Sequence, residues 1–142
     1  MSYLLDTDHI SILQRHSGVE HTTLISRIRR HPEEEFSFSI ISFHEQVLGA
    51  HTFLARARSP RDVLRGYRLL DEIIRGFSAA PVLTFEDAAS DVFGDLVARR
   101  VRVATMDLRI VAIALANNVV LLTRNVRDFG KVPGLRTENW TA

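Results

Sequence analysis

The stretch Tyr3-Leu4-Leu5-Asp6-Thr7-Asp8-His9-Ile10 sets an apolar run directly before two carboxylates spaced two residues apart. Two chemistries begin this way: a phosphotransferase aspartate backed by a second acid, and a divalent-metal nuclease. Ordinary helix capping begins this way too. Three more oxygen-bearing side chains, Glu45, Asp107 and Asn125, stand further along the chain, with Thr123 just before the last. Carboxylates brought close repel one another and raise one another's pKa. A divalent cation removes that penalty, and Mg²⁺ and Mn²⁺ prefer oxygen ligands. Mg²⁺ keeps several waters and needs only one or two direct carboxylates. An ion so held can generate hydroxide and stabilise charge on a phosphodiester. The six histidines are scattered, without the i, i+4 spacing of a helical zinc motif. The chain has no cysteine, which removes both disulfides and thiolate metal sites and fits a reducing cytoplasm.

These residues matter only if the chain brings them together, and its periodicity says how. Tyr3–Leu5 reads as a short buried strand. The segment from Asp8 to His16 follows as a helix with Ile10, Ile12 and Leu13 inward and Asp8 as its expected N-cap. Leu24, Ile25 and Ile28 continue at helical spacing until Pro32. Phe36, Phe38 and Ile40 alternate with Ser37 and Ser39 at strand period, and Ser42 is expected to open the next helix. From Ser59-Pro60 the apolar residues Val63, Tyr67, Leu70, Ile74 and Phe77 recur in steps of four and three, a second long helix. A short strand at Pro81–Phe85, a helix from Glu86 to Arg100, and an apolar helix from Asp107 to Asn118 come next. The continuous apolar run Val119–Thr123 suits a parallel strand covered on both faces. Arg136–Trp140 is a candidate final strand.

The order β-α-α-β-α-α-β-α-α-β predicts a single α/β domain, residues 1–142, with a parallel sheet of about four to five strands flanked by helices on both sides. Ligands in such sheets gather at the carboxyl ends of the strands. Asp6, Glu45, Asp107 and Asn125 all fall at or just after those ends. Each also has an ordinary structural reading. Glu45 completes Ser42-Phe43-His44-Glu45, the pattern of a capping box. Asp107 in a first helical turn complements the helix dipole, and Asn125 is a common turn residue. Their shared location is what favours chemistry.

The segments Leu4–Ser11, Ser39–Ala50 and Met106–Trp140 together resemble the PIN-domain family, in particular the VapC-type ribonuclease toxins of bacterial toxin–antitoxin pairs. The likeness runs over essentially the whole chain. It implies that Asp6 and Asp107 hold Mg²⁺, with Mn²⁺ as a substitute. It also implies that Glu45 and Asn125 fill the family's other site positions and that Thr7 and Thr123 are hydroxyl neighbours of the site. The strand-end cluster itself suggests that Glu45 orients or deprotonates the attacking water and that Asn125 hydrogen-bonds a water on the metal. The implied activity is metal-dependent endoribonuclease action on tRNA or other structured RNA. The implied partners are a cognate antitoxin that blocks the acidic pocket and a second copy of the chain in a homodimer. Two departures stand out. The family's glycine before the third acid is missing from Arg100–Asp107, and Asn125 replaces an acid, with Asp128 near enough in sequence to compensate.

Two rivals differ in class. Haloacid-dehalogenase-type phosphatases also open with D-x-D, but they need a lysine followed by a further acidic pair; the sole lysine here is Lys131, with only Glu138 beyond it. The other is a catalytically inactive PIN-like module that binds RNA or protein. Apart from Lys131 the basic residues are all arginine, whose fork suits phosphate, and Arg124 and Arg127 are the nearest in sequence to the strand-end cluster. With 46% apolar and 25% charged residues the composition is that of a soluble globular domain. No apolar run approaches the ~20 residues of a membrane span, and no secretory signal is visible at the N-terminus.

Overall fold

The computed structural model describes all residues from Met1 to Ala142. Five short parallel strands form one sheet: β1 (Tyr3–Leu5), β2 (Phe36–Ser39), β3 (Val82–Leu83), β4 (Val120–Leu122) and β5 (Thr137–Glu138), in the order β3-β2-β1-β4-β5. Between them run α1 (Thr7–Arg15), α2 (Val19–Ile28), α3 (Ile40–Ala55), α4 (Pro60–Phe77), α5 (Asp87–Ala98), α6 (Thr105–Asn117) and the single turn α7 (Val126–Phe129). All the expected strands and long helices are present; α7 is an addition that periodicity over four residues cannot signal.

The strands are apolar because helices cover both faces of the sheet. Successive residues of one strand feed opposite cores. Tyr3, Leu5, Val120 and Leu122 pack with Ile10, Ile12, Leu24, Ile73 and Phe77 from α1, α2 and α4. Leu4 and Leu121 pack on the other side with Leu108, Ile110, Val111 and Ile113 of α6, Leu96 of α5 and Phe129 of α7. Burial on both faces explains why Ser37 and Ser39, the polar members of β2, lie inside rather than facing water. The Ser37 hydroxyl donates to the Tyr3 carbonyl at 3.0 Å. No helix is long and apolar enough to cross a membrane.

The winding creates the site. From β1 the chain moves outward through β2 to β3, then returns to place β4 on the other side of β1. The reversal leaves a crevice at the carboxyl ends of β1 and β4, the place where α/β sheets take ligands. Asp6 follows β1, and Thr123 follows β4. The two strand ends are tied by the Asp6 amide, which donates to the Leu122 carbonyl at 2.9 Å.

Two expected helix starts move. The cap of α1 is Asp6, whose carboxylate accepts from the Thr7 amide, while Asp8 lies inside the first turn. The alternation of β2 ends at Ser39, and α3 begins at Ile40 rather than Ser42. Ser39 is its cap, accepting from the Ser42 amide at 3.0 Å. Ile40 reads as strand by type but sits 38% exposed in the first helical turn. Because Ser39 anchors the helix that carries Glu45, Ser39→Ala is expected to cost about 0.5–2 kcal/mol of stability, the usual worth of a lost cap. Urea denaturation of the two proteins measures it.

Candidate functional site

Asp6 is 5% exposed, and both of its oxygens are engaged. Oδ1 accepts from the Thr7 amide at 2.8 Å and Oδ2 from the Thr123 hydroxyl at 2.7 Å. The Thr7 side chain turns the other way. Its hydroxyl donates to Glu45 Oε1 at 2.9 Å and lies 2.8 Å from Ser42 Oγ, which in turn accepts from Ser39 Oγ at 3.3 Å. Since Thr7 gives its only proton to Glu45, its oxygen accepts from Ser42. Three hydroxyls therefore donate in line toward one carboxylate oxygen. Glu45 reaches across to α1 instead of closing a capping box on α3; the cap position it would have served belongs to Ser39.

Asp8 is likewise not a helix cap. Its Oδ1 lies 2.7 Å from His9 Nδ1, its Oδ2 accepts from the Arg124 amide at 3.0 Å, and the Thr123 hydroxyl stands 3.3 Å from that same oxygen. Asp8 thus bridges α1 to the end of β4. Asn125, half-buried, joins the group through its amide, which donates to Thr123 Oγ1 at 3.1 Å; its side chain makes no capping bond to α7. Asp107 lies half-buried in the first turn of α6.

The carboxylates sense one another. Burial, then the charge of Asp8 and more weakly that of Asp107, raises the Asp6 carboxyl to about 7, against the opposing hydrogen bonds from Thr123 and Thr7. Burial also raises Asp107, followed by the charges of Glu45, Asp8 and Asp128. No basic side chain offsets either group. The tertiary structure therefore gathers Asp6, Glu45 and Asp107 as expected and adds Asp8 and Asp128. Asp128 had a signal in its spacing, three residues after Asn125 on what becomes α7. Asp8 had none beyond its nearness to Asp6. Of the two arginines, Arg124 is turned toward α2, its guanidinium 3.2 Å from Glu20, and Arg127 is exposed on α7.

The donor set is all oxygen. No three acidic or histidine side chains already close around a single point. That disfavours a cage of protein ligands and fits a hard cation that keeps most of its waters, as Mg²⁺ does. Uncompensated charge among half-buried carboxylates is the other half of the fit. A well-formed cavity of about 870 Å³ lies elsewhere, between α1, α3 and α4. None of the clustered acids lines it.

Comparison with solved structures gives the fold a counterpart. VapBC-1 from nontypeable Haemophilus influenzae superposes with a TM-score of 0.79 at 23% identity, covering 100% of both chains. A DNA-bound VapBC from Salmonella typhimurium gives 0.75 at 23% identity over 99% of this chain and 98% of that one. A VapBC-5 from Mycobacterium tuberculosis, of the VapBC family of toxin–antitoxin systems, gives 0.57 at 16% identity over 97% and 96%. This is the PIN-like fold. Among curated proteins, a tRNA(fMet)-specific endonuclease VapC from Shigella flexneri is 35% identical over 74 residues, 49% of this chain. The match spans 56% of the length of that relative. No family model matches the chain. In this PIN-like fold the acids sit at the switch point between β1 and β4.

The raised Asp6 carboxyl makes stability depend on pH when no cation is bound. Its folded value, about 7, lies above the ordinary 3.8, so the folded state holds the proton more tightly than the unfolded state. Stability from this group is fully present below pH 4 and is lost as pH rises through about 7. In chelator, wild-type stability is expected to fall by on the order of 2 kcal/mol between pH 5 and pH 8. Asp6→Asn should flatten most of that slope and melt higher at pH 8. Denaturation curves at the two pH values read both effects.

Proposed function

We propose that the protein is a divalent-metal-dependent endoribonuclease, the toxin component of a toxin–antitoxin pair. One observation carries the reading: Asp6, Glu45 and Asp107 converge at the sheet's switch point, and no basic group offsets the burial of Asp6 or Asp107. The likeness to VapBC structures and to a VapC endonuclease supports it. So does the all-oxygen donor set.

Asp6 and Asp107 would hold Mg²⁺, or Mn²⁺ in its place. Bound there, the cation supplies a Lewis acid that lowers the pKa of water and offsets charge on the phosphodiester. The protein's own groups do the rest. Thr123 and the Thr7 amide fix the Asp6 carboxylate so that it need not reorganise on loading. The line of hydroxyls from Ser39 through Ser42 and Thr7 holds Glu45 Oε1, leaving Oε2 to orient a water and take its proton. Asn125, an amide among acids, hydrogen-bonds water without adding repulsion. The exposed guanidinium of Arg127 would meet the RNA backbone. A cognate antitoxin would silence the site by covering it, the active form would be a homodimer, and RNA as substrate sets the activity in the cytoplasm.

The test is cleavage of total RNA by the purified, antitoxin-free protein with Mg²⁺ or Mn²⁺ and with chelator. Discrete fragments are expected with either ion and none with chelator. Glu45→Gln should lower the rate about 10²–10⁴-fold, the usual share of a general base. Asp6→Asn and Asp107→Ala should abolish cleavage with the circular dichroism spectrum unchanged. RNA retained but uncut by folded wild-type protein would replace the enzyme with a binding module.

A further inference from the structure

His9 lies wholly inside the protein on α1, and both of its ring nitrogens are engaged. The backbone N–H of Trp140 points at Nε2 from 3.2 Å. A backbone N–H can only donate, so Nε2 carries no proton and the imidazole must hold its proton on Nδ1. That proton faces Asp8 Oδ1 at 2.7 Å. With one oxygen so held, Asp8 presents the other to the Arg124 amide at 3.0 Å and to the Thr123 hydroxyl that donates to Asp6.

The far end of this line is equally constrained. Arg27 Nη1 donates to the Asn139 carbonyl at 3.0 Å, and its guanidinium lies over the Trp140 ring at 5.1 Å. Tyr3 and His31 pack against the same indole, with ring centroids 4.7 and 4.9 Å away. The segment after β5 is thereby pinned to α2 and β1. One polar route to the acids follows the sheet, from Trp140 Nε1 to the Glu138 carboxylate and from the Thr123 amide to the Glu138 carbonyl; the route that reaches Asp8 runs through the His9 ring.

We propose that His9 is a positioning residue: it carries the placement of the Asn139–Trp140 segment through Asp8 to the ends of β1 and β4, and so sets the geometry in which Asp6 receives a cation. The proposal rests on the metal-dependent reading of the site for its effect on cation affinity, but its effect on the Arg124 amide requires no metal. A histidine that merely filled the core would matter for stability alone.

Two substitutions separate the arms of the ring. In His9→Asn the amide nitrogen overlays Nδ1 and keeps the donation to Asp8, while the buried Trp140 N–H loses its acceptor. In His9→Gln the amide oxygen overlays Nε2 and keeps Trp140, while Asp8 loses its donor. His9→Asn is therefore expected to be the less stable variant in urea. His9→Gln should be the weaker binder of Mn²⁺ by titration calorimetry, by about tenfold, the lower end of the cost of losing a partner behind a metal ligand, because Asp8 reaches Asp6 through Thr123; His9→Asn should stay within about threefold of wild type. In metal-free protein the Arg124 amide proton should shift in His9→Gln and not in His9→Asn. Affinity that follows stability in both variants, or an Arg124 amide that ignores His9→Gln, overturns the proposal. Nitrogen NMR of wild-type His9 tests the premise without any variant: a proton on Nε2 overturns the proposal, and one on Nδ1 supports the donation to Asp8 on which it is built. Wild-type protein that binds no Mn²⁺ while the Arg124 amide still responds sinks the metal reading and leaves the positioning role standing.

Discussion

The arrangement turns on repulsion between carboxylates held near one another with no cation among the side chains to relieve it. Asp6 is the clearest case, buried at the end of the central strand with Asp8 two residues on and Asp107 across the crevice. Left in water these groups would separate. The fold keeps them together because each is anchored by backbone whose position is decided elsewhere. Asp6 is held by strand pairing and a helix start, Glu45 by a helix capped at Ser39, and Asp107 by the apolar helix α6 packed under the sheet. The free energy comes from the two cores, and the acids are held against their own preference.

Hydroxyls join the anchors. Thr123 donates to Asp6 and accepts from the Asn125 amide, so one side chain sets residues from both ends of the chain. Thr7 does the same for Glu45 from the opposite side. A hydroxyl both donates and accepts and carries no charge. It can therefore order neighbouring carboxylates without neutralising them, as a lysine or arginine would. Neither Asp6 nor Asp107 is tied up by a basic side chain, which leaves both open to a cation. The basic residue nearest in sequence, Arg124, is turned outward to Glu20 on α2, and only its backbone faces the acids.

Asp8 shows how a residue changes meaning between levels. Beside a helix start its type favours capping, and local rules favour it over Asp6 because Asp6 still belongs to the strand. In three dimensions a single residue, Asp6, separates strand from helix, so it both follows β1 and caps α1. Asp8 is then released to bridge to β4, more than a hundred residues away, and to take up the His9 ring. Ser42 and Glu45 shift in the same way. The local capping pattern is real, but strand pairing ends β2 at Ser39 and starts the helix earlier, which frees Glu45 for Thr7.

Periodicity by itself determined the order of the elements, the parallel sheet with helices on both faces, and the placing of Asp6, Glu45, Asp107 and Asn125 at strand ends. Those features follow from side-chain type at fixed spacing, and burial at β1, α6 and β4 enforces them strongly. Resemblance to a known family added the expected chemistry of the acids. Only the tertiary structure decided which acid caps α1, that Asp8 and Asp128 join the cluster, that Arg124 turns away from it, and that His9 ties the segment after β5 to the site. Each of these depends on where two strand ends or two helices meet. Such meetings are set by the reversal of winding between β1 and β4 and by packing between residues distant in sequence, and a local pattern carries no record of either.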